Sequence, residues 1–270
     1  MFYPVNVDIS DKARVEQGVL VLNPAESKRL IAKAVASLPE VQHAYKQARL
    51  AVTGGTGNAF VLEELTGEKI PAYQYSVGMV NDGMLTTTVG ADRIGSKFFV
   101  NGESIQIEAR DFFKTLEAGD VVIKGGNAVD TEGNAGVLAA NDTGGTIGAL
   151  LGIVCVRGIP LIMPIGLEKL IPSVPQAAAG WGQKTLYYAM GLKCCLAPVV
   201  TGLVVTEIQA LGILTGVSAR LVAAGGVGGS EGAVVILMEG YRENLERAMG
   251  LAHSVKGEPK VEVPRHQLSS

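Results

Sequence analysis

Residues 119–148 contain the side chains and glycines with which this chain can build a ligand site. The segment reads as an apolar strand, a glycine turn, a polar loop, and a second glycine turn that enters a helix. Glycine has no Cβ, so the backbone can turn sharply and a ligand can approach the main chain closely. Free N–H groups at the start of a helix favour a phosphate or carboxylate group. The segment therefore predicts a crevice for a small anionic ligand.

The same segment supplies candidates for catalysis and for binding. A carboxylate in such a crevice can act as a general base, and a lysine can stabilise developing negative charge. We therefore predict Asp130 or Asp142 as the base and Lys124 as the stabiliser. The predicted ligand contacts of this segment are Gly125, Gly126, Asn127, Asn134, Asn141, Thr143, Gly144, Gly145 and Thr146. The alternative is a pair of ordinary loops, because glycine and asparagine are common in any turn.

An earlier glycine loop follows the predicted strand at residues 49–53. Its sequence, Gly-Gly-Thr-Gly-Asn at residues 54–58, is neither a Walker loop nor the dinucleotide-binding pattern. In open α/β sheets, ligands lie beyond the carboxyl ends of the strands, where such loops gather. The ligand contacts predicted here are Gly54, Gly55, Thr56 and Asn58. The alternative is a tight turn in which Asn58 caps the next helix.

A third loop follows the predicted buried strand at residues 159–163. It contains Glu168 and Lys169, so both side chains can face the same crevice. We predict that Lys169 neutralises the anion. The alternative is a solvated loop lysine.

The composition limits the class of protein. Hydrophobic residues make up 47% of the chain and charged residues 18%, and 35 of its 270 residues are glycine. Such a composition favours a large core with many short connections between strands and helices. The net charge is −3 and no basic run is present, so nucleic acid is not an expected partner. No apolar run reaches the ~20 residues that a membrane span requires, so no membrane partner is expected.

The three cysteines, Cys155, Cys194 and Cys195, fit neither a metal-ligand spacing nor a disulfide framework. We expect reduced thiols in a cytoplasmic protein, with no metal and no cofactor. The amino terminus does not have the pattern of a signal peptide. The high apolar fraction and the glycine-rich carboxyl-terminal part predict a homo-oligomer.

The elements that must position these residues predict an α/β protein. Residues 1–195 are expected to form the ligand-binding core, a parallel sheet with helices on both faces, with a β-rich insertion near residues 70–108. Asn-Asp-Gly at residues 81–83 and Asn-Gly at residues 101–102 predict hairpin turns in that insertion. Residues 196–264 show the order βαββαβ, with strands at 198–206 and 260–263, which predicts a ferredoxin-like subdomain. Residues 265–270 are expected to be a tail.

Residues 119–162 resemble part of the NagB/RpiA/CoA-transferase superfamily. In its sugar-phosphate isomerases, a strand ends in Gly-Ala-Asp, a polar loop with Asn-Gly follows, and a helix and a Gly-Ile-Pro strand come next. The equivalents in this chain are residues 124–127, 130–134 and 158–160. The loop at residues 54–58 is similar to the first phosphate loop of this family. The carboxyl-terminal part resembles the ferredoxin-like lid of the ribose-phosphate isomerases.

The resemblance implies an enzyme of the aldose–ketose isomerase type that acts on a phosphorylated metabolite. The chain departs from the family pattern at Asn127, where the isomerases keep an acidic residue. Because an asparagine amide cannot take up a proton at neutral pH, Asp130 or Asp142 would have to supply the carboxylate. The alternative function is a non-catalytic metabolite-binding or sensor protein of the same fold.

Overall fold

The structure is a computed structural model that describes residues 1–264. In it, the short β-branched runs between glycine turns form strands, and the longer amphipathic runs form helices. The helices of this part of the chain are α1 Pro24–Ser37, α2 Pro39–Gln47, α3 Thr56–Thr66, α4 Ala109–Thr115, α5 Gly145–Arg157, α6 Val174–Ala178, α7 Glu207–Thr215 and α8 Arg242–Ser254. The strands are β1 Glu16–Leu22, β2 Arg49–Val52, β3 Gly78–Asn81, β4 Met84–Thr87, β5 Lys97–Val100, β6 Glu103–Ile105, β7 Val121–Ile123, β8 Ala128–Val129, β9 Ala135–Ala139, β10 Leu161–Pro164, β11 Cys195–Val199, β12 Leu203–Val205, β13 Ser218–Ala224 and β14 Val234–Gly240.

The central sheet has six strands in the order β12-β10-β7-β2-β5-β6. Strands β12, β10, β7 and β2 are parallel to their neighbours in this set, whereas β5 and β6 are antiparallel and form one edge. The predicted α/β class with a mostly parallel sheet is therefore confirmed. Because the four parallel strands run in the same direction, the loops that follow them meet at one edge of the sheet.

Helices cover both faces of this sheet. Val52 and Ile123 point into a buried cluster with α1, α2, α3, α7 and α8, whereas Ala51 and Val122 point into a second cluster with α4 and α5. This alternation is the two-residue period of a strand. No helix within residues 1–264 has the length and apolar character needed to cross a membrane.

Both predicted hairpins of the insertion are present. Asp82 and Gly83 have φ values of 50° and 73°, and Asn101 and Gly102 have values of 51° and 87°. Two consecutive left-handed residues are typical of the type I′ turn, which matches the twist of the strands it joins. The first turn joins β3 to β4, and the second joins β5 to β6 at the edge of the central sheet.

The carboxyl-terminal part differs from its predicted order of elements. Residues 198–206 do not form one strand: they are divided between β11, which pairs with β9, and β12, which joins the central sheet. The chain bends at Gly202, where a Cβ would collide with the sulfur of Met163. The predicted strand at residues 260–263 is wrong: these residues pair with no other strand within residues 1–264.

The amino-terminal strand β1 takes part in the small sheet of this region. Its order is β1-β14-β13, and both pairs are antiparallel. Helices α7 and α8 pack on one face of it. Residues from both ends of the chain thus build this sheet. The ferredoxin-like assignment and the boundary at residue 196 stay predictions. The predicted tail at residues 265–270 lies outside the described residues.

Candidate functional site

Four loops meet at the carboxyl edge of the parallel strands. Thr53, after β2, donates its N–H to the carbonyl of Ile123 at 3.0 Å. Lys124, after β7, donates its N–H to Ile162 at 3.0 Å, and Ile165, after β10, donates to Val205 at 3.0 Å. These bonds continue the pairing of the sheet into the loops and hold their first residues side by side.

Three lysines lie at this edge, Lys28 from α1, Lys124 after β7 and Lys169 after β10, and we call the site the lysine crevice. The Nζ atom of Lys28 is 3.3 Å from Glu168 Oε1, and that of Lys169 is 3.7 Å from the same oxygen. The side chains of Lys28 and Lys169 are 16% and 29% exposed, so both keep access to solvent. The Nζ atom of Lys124 donates to the carbonyl of Gly125 at 3.0 Å. Within residues 1–264, no carboxylate forms an ion pair with it.

The surroundings of these lysines oppose their positive charges. Burial lowers the pKa of Lys124 to about 8, and the charge of Lys169 lowers it as well. Burial also lowers the pKa of Lys169; the charge of Glu168 opposes this effect and that of Lys28 adds to it. An anion that enters the crevice relieves this repulsion, so the electrostatics favour a negatively charged ligand.

Glu168 is the central carboxylate of the lysine crevice. It is folded back over Gly166, where a Cβ would collide with the carboxylate. Its Oε2 atom is buried and has no hydrogen-bond partner within residues 1–264. Burial raises the pKa of Glu168, but the charges of Lys169 and Lys28 outweigh this effect and leave the pKa below its ordinary value. The carboxylate is therefore ionised, and one of its oxygens has no hydrogen-bond partner within residues 1–264.

Glu207 lies behind Glu168 at the start of α7 and is fully buried. Both of its carboxylate oxygens accept the N–H of Leu167, at 2.9 and 3.2 Å. Burial and the nearby charge of Glu168 raise the pKa of Glu207 to about 7. When all these groups are charged, three lysines face two glutamates, so the net charge of the crevice is positive. Partial protonation of Glu207 makes that net charge more positive.

The first two glycine loops come together beside these lysines. Helix α3 starts after Gly55 without a side-chain cap, and its first amides have no partner inside the helix. Asn58 donates its Nδ2 to the carbonyl of Thr53 at 2.8 Å. Its Oδ1 is buried without a partner in the described part of the chain and points toward Gly125, 3.6 Å from where a Cβ would lie. The predicted contacts of these loops, Gly54, Gly55, Thr56, Asn58, Gly125 and Gly126, thus share one surface with Lys124.

Asp130 lies in the loop after β7, and its carboxylate is used for local structure. It is buried and accepts hydrogen bonds from the N–H groups of Glu132, Asn134 and Val174 and from the Asn134 side chain, at 2.9 to 3.1 Å. Burial alone would raise the pKa of Asp130. These hydrogen bonds lower it by more than burial raises it, so the pKa lies below its ordinary value and the carboxylate is ionised. Asn127 is exposed and accepts the N–H of Leu138 at 3.0 Å. The base role of Asp130 and the ligand roles of Asn127 and Asn134 stay predictions.

The third glycine loop, residues 141–146, lies against α4. Thr143 accepts a hydrogen bond from Arg110 at 2.9 Å and bonds the side chain of Asn141. Asp142 is 66% exposed and pairs with Lys184 at 3.0 Å. Gly144 and Gly145 have φ values of 78° and 59° where they start α5, with Thr146 in its first turn.

This loop borders a separate hollow of about 280 Å³, lined by Arg110, Lys114, Thr143, Gly148, Ala149 and Ile153. Within residues 1–264, no hydrogen bond or ion pair joins the loop to the lysine crevice. The structure therefore brings two of the three predicted loops together at the lysines. The catalytic role of Asp142 and the ligand contacts at residues 141–146 stay predictions.

Lys28 and Glu207 are the members of the crevice that sequence reasoning missed. Glu207 follows a strand end directly, which is the position that marked the other loops, but its strand was assigned to a separate subdomain. Lys28 follows two further buried polar residues, Glu26 and Ser27, on α1. Consecutive polar residues on the buried side of a helix were the available signal for it.

No protein-family model matches this chain, and no curated protein is significantly similar to it in sequence. The resemblance to the sugar-phosphate isomerases therefore stays a prediction, and the function has to be argued from the residues of the crevice.

Proposed function

We propose that the lysine crevice binds a small phosphorylated metabolite and catalyses a proton transfer on it, as in an aldose–ketose isomerase. The observation that carries this proposal is the meeting of Lys28, Lys124 and Lys169 between two glycine loops at the carboxyl edge of the parallel strands. Half-buried cations without enough carboxylates to neutralise them favour an anionic ligand.

The phosphate is held by Lys169 and by the amides that start α3. These amides lie at the positive end of the helix dipole and have no partner within the helix. Gly125 lies beside the start of α3, since a Cβ on it would be 3.6 Å from Asn58 Oδ1. Gly126 is required for packing, because a Cβ there would come within 2.6 Å of the Ile165 side chain.

The proton is transferred by Glu168. The carboxylate of Glu168 accepts a proton from the carbon next to the substrate carbonyl and returns it to the former carbonyl carbon, while the hydroxyl proton of the first carbon passes to the carbonyl oxygen. Lys124 stabilises the negative charge that develops on the carbonyl oxygen. Glu168 is better suited than Asp130, whose carboxylate already accepts four hydrogen bonds, or Asp142, which pairs with Lys184 on the surface.

A non-catalytic metabolite-binding or sensor protein is the second candidate. The lowered pKa of Glu168, which the charges of Lys169 and Lys28 cause, makes this carboxylate a weaker base. Asn127, in the position of the acidic residue of the isomerases, adds no other base. Both candidates predict binding, and only turnover separates them.

The test combines binding and turnover with a panel of phosphorylated aldoses and ketoses. Binding is followed by the thermal stabilisation that ligand binding to the folded state causes, and turnover by NMR. We expect one member of the panel to stabilise the protein and to be converted. Glu168→Gln should retain the stabilisation and lose the conversion, whereas the exposed control Glu243→Gln should retain both. Stabilisation without conversion would favour the sensor, and no stabilisation by any member would contradict both candidates.

A further inference from the structure

We infer that Lys124 is a nucleophile that forms an imine with the carbonyl group of a phosphorylated aldehyde or ketone. The inference rests on the proposed function, because the phosphate group brings the carbonyl into the lysine crevice. It adds a covalent step, in which Lys124 acts as a neutral amine that replaces the carbonyl oxygen and no longer as a cation that stabilises it, and it restricts the substrate class to compounds with a free carbonyl group.

The three lysines of the crevice differ in their partners. Lys28 and Lys169 both pair with Glu168, at 3.3 and 3.7 Å, so each has a carboxylate within ion-pair distance. Lys124 donates only to the backbone carbonyl of Gly125, and no carboxylate within residues 1–264 forms an ion pair with it. An amine must lose its proton to act as a nucleophile, and desolvation beside another cation favours that loss. The lowered pKa of Lys124, about 8, agrees with this arrangement.

Lys124 lies at the carboxyl edge of the parallel strands. It follows β7, which pairs with β2 on one side and β10 on the other, and the residue as a whole keeps some exposed surface. The next two residues, Gly125 and Gly126, have no side chains that would cover it. The Oδ1 of Asn58 points toward Gly125 and has no partner within residues 1–264. This oxygen can accept a hydrogen bond from a hydroxyl group of the substrate or of the intermediate.

The reaction needs no oxidant or further reactant. The lone pair of the neutral Lys124 amine attacks the carbonyl carbon, the π electrons move to the oxygen, and a proton passes from nitrogen to oxygen to give a carbinolamine. The hydroxyl group then takes up a proton from solvent and leaves as water, which breaks the C–O bond and lets the nitrogen lone pair form the C=N bond of a protonated imine. A protonated imine withdraws electrons from the neighbouring C–H bond, so Glu168 can take that proton more easily.

The experiment uses pyridoxal 5′-phosphate as a probe, since it carries an aldehyde and a phosphate group. The full chain is incubated with the probe and reduced with sodium borohydride, and the labelled peptides are identified by mass spectrometry. We expect one label per chain, on Lys124. Lys124→Met should lose this label, and Lys46→Met should retain it, because Lys46 is exposed near the end of α2, at the opposite edge of the sheet.

A second probe separates this inference from the proposed function. Glycerol 3-phosphate has the phosphate group without a carbonyl, so it should stabilise the protein and slow the labelling. Label spread over exposed lysines at the rate seen for Lys124 would overturn the inference. If glycerol 3-phosphate binds but Lys124 is not labelled, the imine is wrong and the binding site stands. If neither probe binds, both are wrong. The mapping uses the unaltered chain, so its result does not depend on the folding of a variant.

Discussion

Lys124 and Asp130 are charged residues of the same loop, but the surroundings of Asp130 stabilise its charge, whereas those of Lys124 destabilise it. The carboxylate of Asp130 accepts four hydrogen bonds, which lower its pKa. The ammonium of Lys124 has one backbone acceptor and a second lysine nearby, and its pKa is also lowered. For an acid this shift favours the charged form, and for a base it disfavours it. Asp130 therefore stabilises the fold, whereas Lys124 costs stability at neutral pH.

Asp130→Asn should destabilise the protein by about 2–3 kcal/mol, because hydrogen bonds to an ionised acceptor are lost or weakened. Since the pKa of Asp130 is lowered from the ordinary 3.8, its contribution is present above that value and disappears as the pH falls through the folded-state pKa. Denaturant unfolding at pH 7 and pH 3 measures both effects. The exposed Asp142→Asn serves as the control and should cost less than about 0.5 kcal/mol. Equal losses in the two variants would show that the four bonds contribute little.

Lys124→Met should stabilise the protein at pH 7, by on the order of 1 kcal/mol. The folded-state pKa of about 8 lies below the ordinary 10.5, so the native state binds fewer protons than the unfolded state between these values. Stability therefore rises with pH through that window, and the cost of charging Lys124 is fully present below pH 8. Unfolding measured from pH 7 to pH 10.5 should show a smaller slope in Lys124→Met than in Lys46→Met. If the slope of stability against pH is the same in the two variants, Lys124 is as well solvated as a surface lysine.

At the scale of elements, helix α1 is joined to α3 and to the segment after α8 by Arg29. This guanidinium pairs with Glu63, Glu64 and Glu258 at 2.5, 2.9 and 2.9 Å and lies over the ring of Phe60. Its side chain is 8% exposed, and of its three partners Glu63 also pairs with Lys69 and Glu64 with Lys33. Because α1 also carries Lys28, this network fixes one wall of the lysine crevice.

Arg29→Met should cost about 3 kcal/mol, because the half-buried Glu258 loses its ion-pair partner and Glu63 and Glu64 keep only Lys69 and Lys33. Amide hydrogen exchange near residue 258 should also become faster, since that segment loses its bonds to α1. Denaturant unfolding and exchange mass spectrometry are the measurements. Arg242→Met breaks an exposed pair with Glu16 and should cost much less than Arg29→Met, because water and salt screen that pair. The network is not important for stability if the two variants lose the same amount.

Local patterns predicted most of the elements. Asn23 and Glu26 form the capping box that starts α1, and the glycine-containing turns form the predicted hairpins. Local patterns failed where a partner distant in the sequence decides the structure. The apolar run at residues 198–206 was predicted as one strand although Gly202 interrupts it, and its division between two sheets depends on the pairing of β11 with β9 and of β12 with β10. The pairing of β1 with β14 depends on residues more than 200 positions apart.

The candidate site was predictable to a similar extent. Predicted strands that end at glycine identified Asn58, Lys124 and Lys169. This worked because the carboxyl end of each strand can be located from the residues next to it. The sequence does not show that Asp130 is enclosed by backbone donors, or that Lys28 reaches Glu168 from a helix 140 residues away. These features depend on tertiary packing, so the choice between the carboxylates required the structure.

At the scale of the whole molecule, the small sheet leaves apolar residues on one face. Val19, Val21 and Val222 are 54%, 46% and 50% exposed there. The expected homo-oligomer stays a prediction, and light scattering tests it. We expect a mass that is a multiple of 28.1 kDa. A mass of one chain over the range of working concentrations would contradict the expectation without affecting the proposed site, whose residues all come from one chain.

The central claim is that one phosphate group binds where the parallel strands end. Isothermal titration of the full chain with glycerol 3-phosphate tests it most directly, with Lys169→Met and Lys46→Met as matched variants. The account predicts one site per chain, an affinity at least about tenfold weaker in Lys169→Met, which corresponds to about 1.4 kcal/mol, and an unchanged affinity in Lys46→Met. No binding by the unaltered chain, or equal affinities of the two variants, would contradict it.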